Sequence, residues 1–208
     1  MTTKYFILIL LLAIFTSCKS TLKIACVGDS ITNGGGKNAS SFYPMQLDKL
    51  LGEKYEVLNC GEAGATMQTD GNKPYWEQKD LSNVFVYKPD VIVIMLGTND
   101  SKIPVWNAAS YERDYQIMID SLRTISTKPT IYLCSPPPAY SDKWEISEST
   151  IKSEIIPIVN RIAAKNNLKV IDVYNGMTNM SNLFYDGIHP NPEGIKIMAE
   201  IIAKGIKE

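Results

Sequence analysis

The 208-residue sequence contains a single histidine, His189. Neither a cysteine pair nor a carboxylate cluster stands near it at the spacing of metal ligands, so we expect no metal site of the common kind and no cofactor. Imidazole is the side chain best suited to act as a base near neutral pH. Any base of that kind in this chain must therefore be His189.

An excess of positive charge is also missing. The chain carries 21 basic and 22 acidic residues, without a basic run, which argues against a nucleic-acid partner or an electrostatic membrane patch. We therefore expect a small or neutral partner. The length of the chain is that of one α/β domain.

The apolar run near the N-terminus is too short to cross a membrane. It covers residues 5–15, whereas a spanning helix needs about 20 residues. Lys4 precedes the run and Thr16-Ser17-Cys18 follows it, a pattern typical of a bacterial lipoprotein signal. We expect residues 1–17 to be the signal peptide, Cys18 to carry the lipid and residues 18–21 to form a tether. The protein would then be exported and lipid-anchored in the periplasm or at the cell surface, with no other membrane contact. Plain secretion is the alternative, because Phe15 replaces the usual leucine.

Three further cysteines, Cys26, Cys60 and Cys134, lack the spacing of metal ligands. Their number is odd, and two of them lie inside apolar runs. Free cysteines are among the most buried residues in proteins. We expect buried thiols rather than disulfides.

Short apolar runs alternate with helical patterns along the rest of the chain. Five runs have strand character: residues 22–27, 55–59, 91–96, 130–134 and 168–173. Helical spacing of apolar residues is found at 42–51, 108–125, 151–164 and 192–206, and a loop is predicted between the second strand and about Val86. Residues 91–96 are continuously apolar and rich in β-branched side chains, which is typical of a central strand. The pattern predicts a single three-layer α/β/α domain over residues 22–208, with a mostly parallel five-stranded sheet.

Ser30 directly follows the first predicted strand, in the triplet Gly28-Asp29-Ser30. Ligands of open α/β sheets bind outside the carboxyl ends of the strands, which is where Ser30 is expected. A serine hydroxyl attacks an ester when a base removes its proton. Such a triplet is also common in turns and helix caps. Ser30 is therefore a candidate nucleophile, provided that His189 reaches it.

Gly64 and Asn99 follow the second and third predicted strands. A glycine lets a backbone N–H approach a substrate oxygen closely, and an asparagine amide is able to donate to the same atom. In isolation, a tight turn explains Gly64 equally well, and a turn or cap role is the better explanation of Asn99. We expect nearby Glu62 to face solvent, because a carboxylate turned inward would oppose developing negative charge.

Asp186 stands three residues before His189. Pro190 favours extended backbone at His189, and Asn191-Pro192-Glu193 is typical of a helix start. A loop fixed in this way directs both side chains to one place, where the carboxylate orients the imidazole and stabilises its charged form. A surface Asp–His pair ahead of a capped helix is the structural alternative.

These motifs occur in the same order as the sequence blocks of a known superfamily. Gly28-Asp29-Ser30-Ile31-Thr32, Gly64, Gly97-Thr98-Asn99-Asp100 and Asp186-Gly187-Ile188-His189-Pro190 resemble the blocks of SGNH hydrolases, also called GDSL esterases. The resemblance implies a flavodoxin-like fold, with Ser30 as nucleophile, His189 as base and Asp186 as its partner. It also implies an oxyanion hole formed by the backbone N–H groups of Ser30 and Gly64 and by the Asn99 amide.

The substrate is suggested by a proline-rich segment. Cys134-Ser135-Pro136-Pro137-Pro138-Ala139-Tyr140 resembles a loop of bacterial sialate O-acetylesterases and related carbohydrate esterases, which implies a short acyl ester such as an O-acetylated sugar. A lysophospholipase or thioesterase of the same superfamily, and a noncatalytic carbohydrate-binding lipoprotein, are the alternatives. Six loop aromatics are able to stack on sugars, although we expect most of them to pack at the edge of the core: Tyr75, Trp76, Trp106, Tyr140, Trp144 and Tyr185.

Overall fold

The computed structural model describes residues 21–35 and 42–208. The predicted signal peptide over residues 1–17, the lipid site at Cys18 and residues 18–20 of the tether lie outside this part. Within it, no helix has both the length and the apolar character needed to cross a membrane.

Five parallel strands form one sheet in the order β2-β1-β3-β4-β5. The strands are β1 (Leu22–Gly28), β2 (Tyr55–Gly61), β3 (Val91–Met95), β4 (Thr130–Cys134) and β5 (Lys169–Ile171). β3 occupies the centre, as its β-branched composition predicts, and its residues from Ile92 onward are buried. Such a strand is covered on both faces because helices pack on each side of a parallel sheet.

Helices connect the strands. The α-helices are α1 (Ser30–Asn33), α2 (Tyr43–Leu51), α3 (Lys79–Tyr87), α4 (Ala108–Leu122), α5 (Glu148–Thr150), α6 (Ile156–Asn166), α7 (Val173–Gly176) and α8 (Pro192–Lys207). Short 3₁₀ turns cover Tyr75–Glu77, Lys143–Glu145 and Ser181–Leu183, and a π-helical stretch covers Ile151–Ile155.

Alternate residues of β1 point into different cores. Ile24 and Cys26 pack with α2 and α8, whereas Ala25 and Val27 pack into the core that contains residues of α3, α4 and α6. This alternation follows from the two-residue period of a strand. It produces the predicted three layers, with the sheet in the middle.

Two segments of the chain have a different secondary structure from the one that the sequence pattern predicted. The stretch after β2 is not all loop, because α3 forms there and buries Leu81 and Val84, which are spaced by one helical turn. The last strand is shorter than residues 168–173, because the Asp172 side chain accepts from the Asn175 N–H and begins α7. The helix cap at Asp172 therefore makes β5 end earlier than its apolar pattern indicated.

The predicted helix at 151–164 contains a local change of pitch. Pro157 has no backbone N–H to donate one turn back, and in the preceding stretch the Ile156 N–H donates to the Ile151 carbonyl, five residues earlier. This is the hydrogen-bond pattern of a π-helix. Cys26, Cys60 and Cys134 are buried thiols, as predicted, and none of the three forms a disulfide within the described residues.

Candidate active site

The carboxyl edge of the sheet brings the predicted segments together. Ser30 begins α1 immediately after β1, and the Asp29 side chain caps that helix by accepting from the Ile31 N–H at 2.9 Å. His189 lies just before α8, which Asn191 caps through its side-chain oxygen. The capping pattern predicted for this helix is therefore confirmed.

Ser30, His189 and Asp186 form a continuous hydrogen-bonded chain. The Ser30 Oγ and His189 Nε2 atoms are 2.9 Å apart, and His189 Nδ1 lies 2.7 Å from Asp186 Oδ2. The second carboxylate oxygen of Asp186 accepts from the backbone N–H groups of Ile188 and His189. With Nδ1 protonated toward the carboxylate, Nε2 is free to accept the proton of Ser30.

Asp186 is held in its ionised form by these contacts. Partial burial by itself raises the pKa of the carboxyl, but the hydrogen bonds from the backbone and ring of His189 and from Ile188 outweigh burial and lower the pKa below its ordinary value. The ionised carboxylate faces Nδ1 and fixes the orientation of the ring.

The loop around Asp186 is anchored by the segment after β4. The Tyr140 N–H donates to the Gly187 carbonyl at 2.7 Å, and the Ser141 hydroxyl donates to the Asp186 carbonyl at 3.0 Å. Gly187 has a φ of 85°, and a Cβ at this position would lie 2.7 Å from the Cβ of Ser141. Glycine is therefore needed both for the backbone conformation and for the close approach.

Gly64 and Asn99 lie in loops that are joined to each other. The Asn99 amide donates to the Ala65 carbonyl at 3.2 Å, and the Asp100 carboxylate accepts from the backbone N–H groups of Met67 and Gln68. In the described part of the chain, no backbone acceptor receives the N–H of Ser30 or of Gly64. Both N–H groups, together with the second hydrogen of the Asn99 amide, are available to a ligand oxygen.

Gly61 and Gly64 differ in what their missing side chains allow. A Cβ on Gly61 would lie 2.2 Å from the backbone nitrogen of Asn33, so this glycine permits close packing of β2 against α1. Gly64 has a φ of 80°, and a Cβ there would meet only Lys73, at 3.8 Å. The open position fits an approaching ligand at Gly64 rather than at Gly61.

The solvent-facing position expected for Glu62 was wrong. Its side chain is only 26% exposed and forms an ion pair with Lys73, whose Nζ lies 2.5 Å from the carboxylate and also donates to the Ala63 carbonyl. The ammonium group compensates the negative charge. Lys73 is eleven positions away in the sequence, so local pattern gave no sign of this pair.

Two buried carboxyl groups beneath the site were not singled out from the sequence. Burial raises the pKa of Asp29 to about 6 and that of Asp100 to about 7, although backbone N–H groups donate to both and partly oppose the shift. Asp29 caps α1, and Asp100 joins two loops by accepting from the backbone N–H groups of Met67 and Gln68. Their motifs were visible in the sequence, but their burial was not.

Of the six loop aromatics, two are exposed. Tyr75 is buried, and Trp76, Trp106 and Tyr140 pack against the cores, as expected for most of the set. Trp144 and Tyr185 remain exposed, and their rings lie 5.4 Å and 5.8 Å from the ring of His189.

A cavity of about 420 Å³ opens beside Ser30 and His189. Its walls are largely apolar and include Ile31, Phe42 and Ile195. Within residues 21–35 and 42–208, no group of three or more histidine, cysteine or acidic side chains is arranged to hold a metal ion.

The sequence also matches a family of known proteins. The family model for GDSL-like lipases and acylhydrolases covers residues 26–197. The chain belongs to this family. An acetylxylan esterase from Xylanibacter ruminicola is 39% identical over 210 residues, which cover 91% of this chain and 44% of that protein. The chain thus spans less than half the length of this relative.

Solved structures of similar proteins share the fold. A lipase/acylhydrolase from Enterococcus faecalis superposes with a TM-score of 0.71 at 24% identity, covering 90% of this chain and 96% of that one. The acetyl xylan esterase AlAXEase superposes with a TM-score of 0.69 at 22% identity, covering 89% of this chain and 100% of that one. The three-layer architecture is therefore shared with these solved structures.

Proposed function

We propose that the protein is a serine esterase that removes acetyl groups from carbohydrate esters. The observation that carries this proposal is the unbroken hydrogen-bonded chain from Ser30 through His189 to Asp186. Membership of an acylhydrolase family and the similarity to an acetylxylan esterase support the same reaction and the acetyl substrate.

In the first half of the reaction, Ser30 Oγ bonds to the ester carbonyl carbon while its proton moves to His189 Nε2. The negative carbonyl oxygen accepts from the N–H groups of Ser30 and Gly64 and from the Asn99 amide. The bond to the alcohol oxygen then breaks, and this oxygen takes the proton from His189. The products are the free alcohol and an acetylated Ser30.

Water completes the reaction. Its oxygen bonds to the acetyl carbon as one of its protons moves to His189 Nε2. The bond to Ser30 Oγ then breaks, acetic acid is released, and Oγ recovers a proton from His189. Asp186 stabilises the imidazolium in both halves because its carboxylate stays ionised and in contact with Nδ1.

A lysophospholipase or thioesterase is the second candidate function. The apolar cavity beside Ser30 favours it, since about 420 Å³ with walls such as Phe42 and Ile195 provides room for more than an acetyl group. Acyl-chain preference separates the two candidates.

The test compares p-nitrophenyl acetate with p-nitrophenyl octanoate, using Ser30→Ala as the control. Preference for acetate that disappears in Ser30→Ala supports the acetylesterase, and acetylated xylan is then the natural next substrate. Preference for octanoate supports the second candidate. Absence of any Ser30-dependent hydrolysis contradicts both and favours a noncatalytic carbohydrate-binding protein.

We also propose that the protein is exported and anchored through a lipid on Cys18. The support is the sequence pattern of a short apolar run followed by Thr16-Ser17-Cys18. Expression in a bacterium with radiolabelled palmitate tests this. Label in the wild-type protein but not in Cys18→Ala is expected, and equal labelling of both contradicts the assignment.

A further inference from the structure

Two exposed aromatic side chains border the ring of His189. Tyr185 stacks on it, with the ring centroids 5.8 Å apart and the planes inclined by 17°. Trp144 meets it nearly edge-on, at 5.4 Å and 69°. The two side chains are 71% and 54% exposed, so both present aromatic surface to solvent at the site.

The backbone that carries Trp144 is strained. Trp144 has a φ of 56° and the next residue, Glu145, a φ of 64°, so two consecutive residues with side chains adopt the left-handed conformation. This conformation costs about 1–2 kcal/mol for each such residue. A tryptophan that remains more than half exposed recovers little of that cost through burial. Strain of this kind clusters at functional sites, and here it holds Trp144 against His189.

The reaction decides which part of a substrate these rings meet. The alcohol oxygen receives its proton from His189 Nε2, so the alcohol part of the ester must lie beside the imidazole. Trp144 and Tyr185 border that imidazole, so both rings lie within reach of the alcohol part, and Tyr185 also lines the cavity beside Ser30. In a carbohydrate ester the alcohol is a pyranose, whose C–H faces are apolar and flat enough to pack on an aromatic ring.

We propose that Trp144 and Tyr185, whose rings are inclined to each other beside His189, form a two-walled aromatic platform that binds the sugar ring on the alcohol side of the scissile ester. The platform makes the enzyme prefer saccharide esters over esters of simple alcohols. This inference rests on the proposed function, since it names the part of the substrate that these two residues recognise.

The kinetic test uses two acetate esters that differ in the alcohol. Mono-O-acetylated methyl β-xylopyranoside carries the sugar ring, and ethyl acetate carries none. Trp144→Leu and Tyr185→Leu keep apolar bulk but remove the flat ring. Each should lower kcat/KM for the sugar ester at least tenfold more than that for ethyl acetate, mainly through KM. Trp144→Phe and Tyr185→Phe retain a ring and should stay within threefold of wild type. Ile117→Ala removes exposed apolar surface from α4 and is the control.

A binding measurement keeps the inference separate from the proposed function. In the Ser30→Ala background, titration with methyl β-xylopyranoside, followed by tryptophan fluorescence and by NMR, should show saturable binding that the two leucine substitutions abolish. Ring-dependent binding without Ser30-dependent turnover in the wild type would contradict the proposed function and leave the platform intact. An equal loss for both esters in the leucine variants overturns the platform and makes the two residues positioning residues for His189. Unchanged kinetics on the sugar ester, or binding that does not depend on the rings, also overturns it.

Discussion

Replacing Asp186 by asparagine should trap the imidazole in the wrong tautomer. One carboxylate oxygen accepts from the Ile188 and His189 N–H groups and the other faces His189 Nδ1. An asparagine keeps both backbone bonds by directing its oxygen to them, which turns its NH₂ group toward Nδ1. Nδ1 must then be an acceptor, the ring proton moves to Nε2, and Nε2 is no longer able to accept the proton of Ser30.

The size of the loss in activity follows from the alternative orientation of the asparagine amide. If the amide rotates so that its oxygen faces Nδ1, the productive tautomer is restored, but two backbone N–H groups lose their acceptor. Each such loss costs about 1–3 kcal/mol, hence about 2–6 kcal/mol together. At about 1.4 kcal/mol per factor of ten, the fraction of active enzyme falls by roughly 30-fold to 10⁴-fold. We expect kcat to fall within this range.

Steady-state hydrolysis of p-nitrophenyl acetate at pH 7.5 measures this loss, and a thermal melt establishes that the variant is folded. Asp172→Asn is a matched control, because Asp172 also accepts backbone and side-chain hydrogen bonds at the start of a short helix but has no contact with His189. It should keep activity within twofold. A folded Asp186→Asn protein that loses less than tenfold in kcat would refute the tautomer argument.

Three further changes test other parts of the site. Asn99→Ala should lower kcat by roughly 10²–10³ with little change in KM, as expected for loss of an oxyanion donor, and a change confined to KM in steady-state kinetics would remove it from that role. Gly187→Ala forces a methyl group toward Ser141 at a φ of 85°, so it should destabilise the fold by about 1–2 kcal/mol and lower activity; an unchanged melting temperature contradicts this. Burial raises the pKa of Asp29 to about 6, so the folded state binds this proton more tightly than the unfolded state and stability is lost as pH rises through 6. Urea unfolding should show a gain of about 1 kcal/mol from pH 8 to pH 5 for wild type relative to Asp29→Asn, and parallel pH profiles would exclude the linkage.

The sheet was predictable because its signal is local. Residues 91–96 are apolar at every position and rich in β-branched side chains, a pattern that over so few residues is typical of a strand covered on both faces. α3 was missed because Leu81 and Val84 offer a single helical repeat, and residues 84–87 are apolar at every position and so show no helical spacing. Its stability comes from burial against the sheet, which the sequence does not display.

The hydrogen-bonded chain was predictable for a different reason. Ser30 and His189 are 159 positions apart, but each follows a motif that places it at the same edge of the sheet. Contacts made by residues outside those motifs were not predictable from the sequence. The Glu62–Lys73 ion pair and the approach of Trp144 to His189 depend on loop conformations that tertiary packing determines.

The proline-rich segment after β4 positions the loop that carries Asp186. Pro136, Pro137 and Pro138 have no N–H to donate and fixed φ angles, so β4 does not extend past Cys134 and the chain continues as a stiff, buried connection. That connection delivers the Tyr140 N–H and the Ser141 hydroxyl to the carbonyls of residues 186 and 187. Because the carboxylate that orients His189 sits in this same loop, the stiffness of a segment with no reacting group sets the position of the base.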